Sequence, residues 1–340
     1  MNTFGTLFTL TTAGESHGPA LTGIIDGMPA GIRIDFDRIR LEMARRRPGR
    51  HHTTARTEDD EVTFLSGLLD GVTLGTPIAF IIPNTDTRPS DYTHLASTFR
   101  PSHADYTYQA KYGIRDVRGG GRSSARETAL RVVGGALALQ ALERRGVNVE
   151  AFTLSVGGEE IGQGSEAESR LEQILEDARR DGDTLGCEIG CIVTGLPAGV
   201  GEPIYDKLSA RLAYAMMSIN AAHAFGYGYG ASFGHARGSE TADIFEVRAD
   251  GSVGTRTNYS GGIQGGISNG MPVEFSVTFK PLPTLMRPMP SINAKGEEIK
   301  IEPRGRHDVC AAPRAVAVVR AMAAMTVLDM LLQYDARRFF

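Results

Sequence analysis

Nine residues carry the densest signal for chemistry: Arg118-Gly-Gly-Gly-Arg-Ser-Ser-Ala-Arg126. Three successive glycines free the backbone for a tight path. Two serines follow where a helix begins, with Ser124 placed as N-cap and Glu127 three residues on, the spacing of a capping box. Free N–H groups, two hydroxyls and three arginines suit an anion, most simply a phosphate. A solvated turn before a well-capped helix explains the same residues without a ligand. Two histidines lie in similar loops, His17 between Ser16 and Gly18, and His103 after Pro101-Ser102. Histidine titrates near neutral pH, so both are candidates for acid–base work. Arg45–Arg47, Arg50 and Arg56 form a basic cluster, read either as a solvated helix end or as a second half of the anion clamp. Asp308 is a helix cap or a carboxylate aimed at a ligand, and Lys280 and Thr284 at a strand exit are candidates for a second phosphate. No His-x-x-x-His, Cys-x-x-Cys or dense carboxylate cluster points to a metal.

The elements that must position these groups follow from periodicity. Residues 4–11 and 21–26 read as strands, the second ending in Gly27-Met-Pro-Ala-Gly31. A helix over 35–46 buries Ile39, Met43 and Leu41. Residues 61–83 give two or three strands, and a helix from the glycine stretch runs to Arg145. The second half reads strand 148–156, acidic helix 165–180, strand 187–194, helix 204–217, strands near 243–249 and 272–279, a hairpin at Lys295-Gly296 and a long helix over 313–332. Gly23–Ile32 is echoed at Gly190–Val200, each followed by an amphipathic helix, and Gly121-Arg122 is echoed by Gly305-Arg306. The echo predicts one domain, 1–340, of two pseudo-repeats (about 1–146 and 147–340): an α+β sandwich of antiparallel sheets around long central helices. No Gly-x-Gly-x-x-Gly follows a strand and opens a helix, which argues against a Rossmann site.

Composition bounds the rest. The chain has 340 residues and a net charge of −4, which gives no global attraction to nucleic acid. Of 36 basic residues only five are lysine. That bias fits base composition, or arginines that bind planar oxyanions bidentately. The odd set Cys187, Cys191 and Cys310 suits a reducing compartment. No apolar run is read as a membrane span, and the N-terminus shows no basic-then-apolar leader. The expectation is a soluble cytoplasmic protein. The anion sites by themselves also suit a nucleotide- or flavin-phosphate-binding transferase, or a non-catalytic oligomeric binding protein.

At Gly14-Glu-Ser-His-Gly18, Arg100–Tyr106, Gly120–Glu127, Gly261–Gly270, Lys280–Thr284 and Gly305-Arg-His-Asp308 the sequence resembles the chorismate synthase family, in the right order over essentially the whole chain. The resemblance implies a lyase that turns 5-enolpyruvylshikimate 3-phosphate into chorismate and phosphate by 1,4-anti elimination, with reduced FMN and no net redox change, in a homotetramer. It implies catalytic roles for His17 (protonating the phosphate), His103 (protonation state of the flavin) and Asp308 (proton removal). It carries flavin contacts onto Arg122, Ser123, Ser124, Asn220, Ala221, Gly265, Lys280, Pro281, Leu282, Pro283, Thr284 and Arg306. Substrate contacts fall on Ser16, His17, Arg46, Ser124, Ala125 and Arg126, with Arg50 and Arg56 as alternatives for one more. The resemblance leaves open two sources of the reduced flavin, the protein itself using NADPH or an external flavin reductase with NADPH as indirect reductant; no long insertion suggests the former. Three positions depart from the family pattern: Arg50-His51-His52, His223 with Gly226, and Ser102, where glycine is common.

Overall fold

The computed structural model describes residues 1–47, 60–85, 97–162, 164–249, 251–302 and 308–338. Its first five-stranded sheet contains β1 (Thr3–Phe4), β2 (Thr9–Ala13), β3 (Ala20–Asp26), β4 (Thr63–Phe64) and, beyond the small hairpin of β5 (Leu68–Leu69) and β6 (Val72–Thr73), β7 (Ile78–Pro83). The order is β1-β2-β3-β7-β4, and every pair is antiparallel. The second contains β8 (Asn148–Val156), β9 (Glu159–Glu160), β10 (Cys187–Thr194), β11 (Ala222–Tyr227) and, past the two-stranded pairs β12 (Phe245–Val247) with β13 (Val253–Thr255) and β14 (Ile263–Gln264) with β15 (Ile267–Ser268), β16 (Val273–Phe279). Its order is β11-β16-β10-β8-β9, again antiparallel throughout. A last hairpin pairs β17 (Met289–Ile292) with β18 (Glu298–Ile301).

The helices are α1 (Phe36–Arg46), α2 (Asp105–Tyr112), α3 (Thr128–Glu143), α4 (Ser165–Arg180), α5 (Leu208–Met217), the short α6 (Gly238–Thr241) and α7 (Ala312–Arg337). The core gathers around α3 and α7, which pack on each other; α3 also touches β2, β3 and β8, and α7 touches β8 and β10. Their close approach has a cause in the sequence. A Cβ on Gly135 would lie 2.3 Å from Cα of Ala321, so only glycine lets the two axes come this near. A helix-interior glycine costs about 1 kcal/mol relative to alanine. Here the cost is offset by apolar contact along both helices, nearly all of whose central residues are buried.

Several expectations shift. The helix expected over 204–217 starts at Leu208, and Leu41 of α1 is exposed while Ile39 and Met43 are buried. The helix expected over 313–332 runs on to Arg337 and is, by length and composition, apolar enough to cross a membrane. No span was read from the sequence because Arg314, Arg320 and Asp329 interrupt the pattern. Most of its apolar window is buried inside the protein, as in a core helix. Asp329 is spent on structure: its carboxylate accepts from the N–H groups of Thr6, Leu7 and Phe8 and pairs with Arg211. The three cysteines are buried and unbridged. Cys187 hydrogen-bonds Cys310, and that contact together with burial raises its thiol pKa.

Candidate active site

The capping box expected at Ser124 is built differently. Ser124 Oγ accepts from Arg126 N at 3.3 Å and caps a single 3-10 turn, Ala125–Glu127, before α3 begins at Thr128. The Glu127 side chain goes elsewhere, to Arg131 Nε at 2.9 Å and Thr12 Oγ1 at 3.5 Å. The extra turn rotates Arg126 inward, where it is buried beneath the loop of His17.

Arg126 meets Arg46 there. The arginine run 45–47 splits by helical period. Arg46 shares a face with Ile39, Glu42 and Met43 and is 1% exposed, whereas Arg45 stays outside and pairs with Glu42 at 2.7 Å. Asp60, itself buried, bridges the two buried guanidinium groups, Arg46 through Nη2 and Arg126 through Nη1. Burial pushes the Arg46 pKa down to about 10, against the attraction of Asp60 and with repulsion from Arg314 and Arg126. Burial alone would raise the Asp60 carboxyl, but the two arginines hold it below its ordinary value. Among the described residues, Arg46 keeps Nε and Nη1 buried without a hydrogen-bond partner. A buried donor without an acceptor is costly, so these two N–H groups suit an incoming anion.

Asn84 joins this anion corner to the first histidine. Its Oδ1 accepts from Arg126 Nε at 3.0 Å, and its Nδ2 donates to the carbonyls of Glu15 at 3.1 Å and Gly18 at 2.9 Å. The loop so held carries Ser16 and His17, with Ser16 Oγ and His17 Nδ1 3.1 Å apart. The glycine stretch closes on it: a Cβ on Gly119, at φ +97°, would meet the His17 ring at 2.8 Å. Arg122 reaches back to Thr12 Oγ1 at 2.6 Å and to the Gly14 carbonyl at 3.4 Å.

The second half of the chain enters through hydrogen bonds to this loop. Asn220 Nδ2 donates to the Ser123 carbonyl at 2.8 Å, and Lys280 N to the Ala221 carbonyl at 3.0 Å. Lys280 Nζ then donates to the Ser102 carbonyl at 2.8 Å, one residue before His103. His103 Nδ1 lies 3.0 Å from Asp105 Oδ1. Asp308 pairs with Arg314 at 2.7 Å, and Arg314 Nε donates to the Arg46 carbonyl at 3.2 Å, so the front of α7 abuts the anion corner. Ser16, His17, Arg46, His103, Arg122, Ser123, Ser124, Arg126, Asn220, Ala221, Lys280 and Asp308 thus belong to one connected neighbourhood. Ala125 is exposed at its edge. Of the stretch after Lys280, the Leu282 carbonyl accepts from Thr184 Oγ1 at 2.8 Å.

Gly265 is not brought in. It sits in the β14–β15 turn beside Gly266, whose carbonyl accepts from Leu208 N at the start of α5. Asn220 lies past the other end of that helix, roughly 15 Å away for ten residues. Arg50, Arg56 and Arg306 lie outside the described residues. Sequence reasoning missed Asp60, Asn84, Arg115 and Arg314. Asp60 left a trace in the sequence as one of four consecutive acidic residues, Glu58 to Glu61, just ahead of a strand.

Two buried arginines on one carboxylate, with spare donors on Arg46, form a site suited to an anionic group in an α+β enzyme fold. Comparison with known proteins narrows the class. The family model described as chorismate synthase matches residues 8–332. The chain is 50% identical to the chorismate synthase of Christiangramia forsetii, covering 98% of each chain, and 47% identical to that of Parabacteroides distasonis over the full length of both. A solved chorismate synthase crystal structure superposes with a TM-score of 0.75 at 27% identity, covering 97% of this chain and 92% of that one. The chain belongs to the chorismate synthase family, and its activity is that family's lyase activity.

Proposed function

We propose that the neighbourhood of His17, His103 and the Arg46–Asp60–Arg126 corner carries out the 1,4-anti elimination of phosphate from 5-enolpyruvylshikimate 3-phosphate, giving chorismate. The observation that carries this reading is the buried pair of arginines held on one carboxylate, with Arg46 Nε and Nη1 left without an acceptor among the described residues. Arg46 and Arg126 bind the anionic substrate beside Ser16, with Arg50 or Arg56 adding a contact. His17, tied to Arg126 through Asn84, protonates the departing phosphate. A phosphate leaves far more readily once it takes a proton. Asp308, fixed by Arg314, assists removal of the ring proton.

Reduced FMN fits the residues present. Asn220 offers a buried Oδ1 with no partner among the described residues, suited to a ring N–H, beside Ala221, which holds φ at +66°. Arg122, Ser123, Ser124, Asn220, Ala221, Lys280–Thr284 and Arg306 would hold it, and Gly265 would have to come from another copy or another arrangement of the loop. Bound there, a reduced flavin would supply transient electron density with no net redox change. His103 sets the protonation at that side of the site.

Three further readings go with this one. The chain is one domain built from two pseudo-repeats in a sandwich around α3 and α7; the matching orders β2-β3-β7 and β8-β10-β16 support it. The working form is a cytoplasmic homotetramer. Its flavin is reduced from outside, by NADPH through a separate reductase. The decisive experiment mixes purified protein, reduced FMN and the phosphorylated substrate without oxygen and follows chorismate by absorbance. Folded protein giving no chorismate refutes the reading, and NADPH oxidation by the protein with FMN alone refutes the external reductase.

A further inference from the structure

We propose that Asp105 is the positioning residue of His103, fixing the imidazole ring so that one nitrogen faces the protein and the other faces the reaction. Asp105 is the first residue of α2, two residues after His103. It is 4% exposed, a rare state for a carboxylate unless it is paired. Its oxygens collect five contacts from three residues. Arg100 donates its N–H at 3.0 Å, its Nε at 2.8 Å and its Nη2 at 2.8 Å; Arg115 Nη1 lies at 2.9 Å; and His103 Nδ1 lies 3.0 Å from Oδ1.

Burial by itself would raise the Asp105 carboxyl. The hydrogen bonds from Arg100 and His103 outweigh it and hold the group far below the carboxylate range. An ionised carboxylate only accepts, so the proton in the His103 contact sits on Nδ1. Nε2 is then the nitrogen left to exchange a proton with whatever occupies the site. Asp105 is itself immovable. Arg100 Nη2 also donates to the Gly119 carbonyl at 2.9 Å, and Gly119 forms the wall behind His17. The described charged groups around His103 are Arg100 and Arg115, through Asp105, and Lys280, on the Ser102 carbonyl. Two cations already satisfy Asp105, so an ion pair with His103 adds little to the fold. What that contact adds is the direction of the ring.

The inference rests on His103 taking part in the reaction, and the test separates the two ideas. Turnover is measured for the full enzyme, for Asp105→Asn, for His103→Ala and for the double variant, with reduced FMN and substrate under anaerobic conditions. Asp105→Asn should lower kcat about 10- to 100-fold with substrate KM within about twofold, because ring orientation and tautomer act in the transition state. In the His103→Ala background the same substitution should change kcat by less than about threefold, since the residue it acts through is gone. An equal loss in both backgrounds overturns the positioning role and leaves a structural one. No loss from His103→Ala alone instead removes the catalytic reading of His103. If Asp105→Asn does not fold, Asp105→Glu enters the same cycle: it keeps the charge, and its extra methylene displaces the ring.

Discussion

His17 takes its Nδ1 contact from a hydroxyl, Ser16 Oγ at 3.1 Å, while His103 takes its own from a carboxylate, Asp105 Oδ1 at 3.0 Å. Both histidines stand in tight loops, and both are half-buried. The partners make them different instruments. A hydroxyl can donate or accept, so Ser16 follows whichever state His17 is in. A buried carboxylate clamped by two arginines cannot, so the His103 ring is fixed in one sense. The surroundings agree. His17's loop is tied through Asn84 to Arg126 and the anion corner, the place of the proposed leaving group. His103 is tied through Ser102 and Lys280 to the segment that the second half of the chain contributes. The same residue type in the same kind of loop is thus given two different surroundings, which suit the two roles proposed for them.

The sharpest way to break this comparison is to remove each ring. His17→Ala and His103→Ala should each lower chorismate formation by about 10²- to 10⁴-fold with assembly intact, as loss of a general acid or base does. Anaerobic turnover and light scattering check both, and unchanged turnover in either removes its role. Arg46→Leu should come next. It leaves Asp60 buried with one cation instead of two, and losing one partner of a buried pair costs about 3–5 kcal/mol. The sign with pH follows from the Asp60 carboxyl lying below its ordinary value in the fold. Its contribution is full above the unfolded carboxylate pKa and is lost as pH falls through the folded one. Without Arg46 the folded value rises, so circular dichroism should show acid unfolding beginning at a higher pH. Ser16→Ala should be milder, lowering turnover about three- to tenfold, because an adaptable hydroxyl contributes about one hydrogen bond to holding the ring. A loss as large as that of Asp105→Asn would erase the contrast between the two loops. The smallest effect belongs to Ser102, an exposed residue at φ +59° before His103. Left-handed backbone costs a non-glycine residue roughly 1–2 kcal/mol, part of which glycine returns as lost chain freedom. Ser102→Gly should therefore raise the melting temperature slightly, by thermal denaturation, and leave turnover within about twofold.

Much of the fold was legible before any coordinates. The period-two runs at 148–156 and 187–194 and the period of 165–180 match β8, β10 and α4 within a residue. Arg46 could be placed on the buried side of α1 from its spacing to Ile39 and Met43, but the cluster around it masked the signal. Local pattern failed where two local signals competed. Ser124 and Glu127 have capping-box spacing, yet the chain spends Glu127 on Arg131 and Thr12 and inserts a 3-10 turn. The apolarity of α7 was hidden by three charged residues, each of which finds a buried or half-buried partner.

The sequence by itself determined which residue types were available for the chemistry, the loops that present them and the strands and helices that carry those loops. These depend on contacts a few residues apart, which periodicity and turn chemistry record. Tertiary structure alone decided who meets whom. Asp60 reaches Arg126 across 66 residues, Asn84 reaches Arg126 across 42, and Lys280 reaches Ser102 across 178. It also placed Gly265 at the far end of α5, away from the residues its motif suggested it would join. Such pairings are fixed by how the two sheets and the α3–α7 contact close the core. A buried ion pair is formed only once that closure has taken its water away, and no local pattern encodes that step.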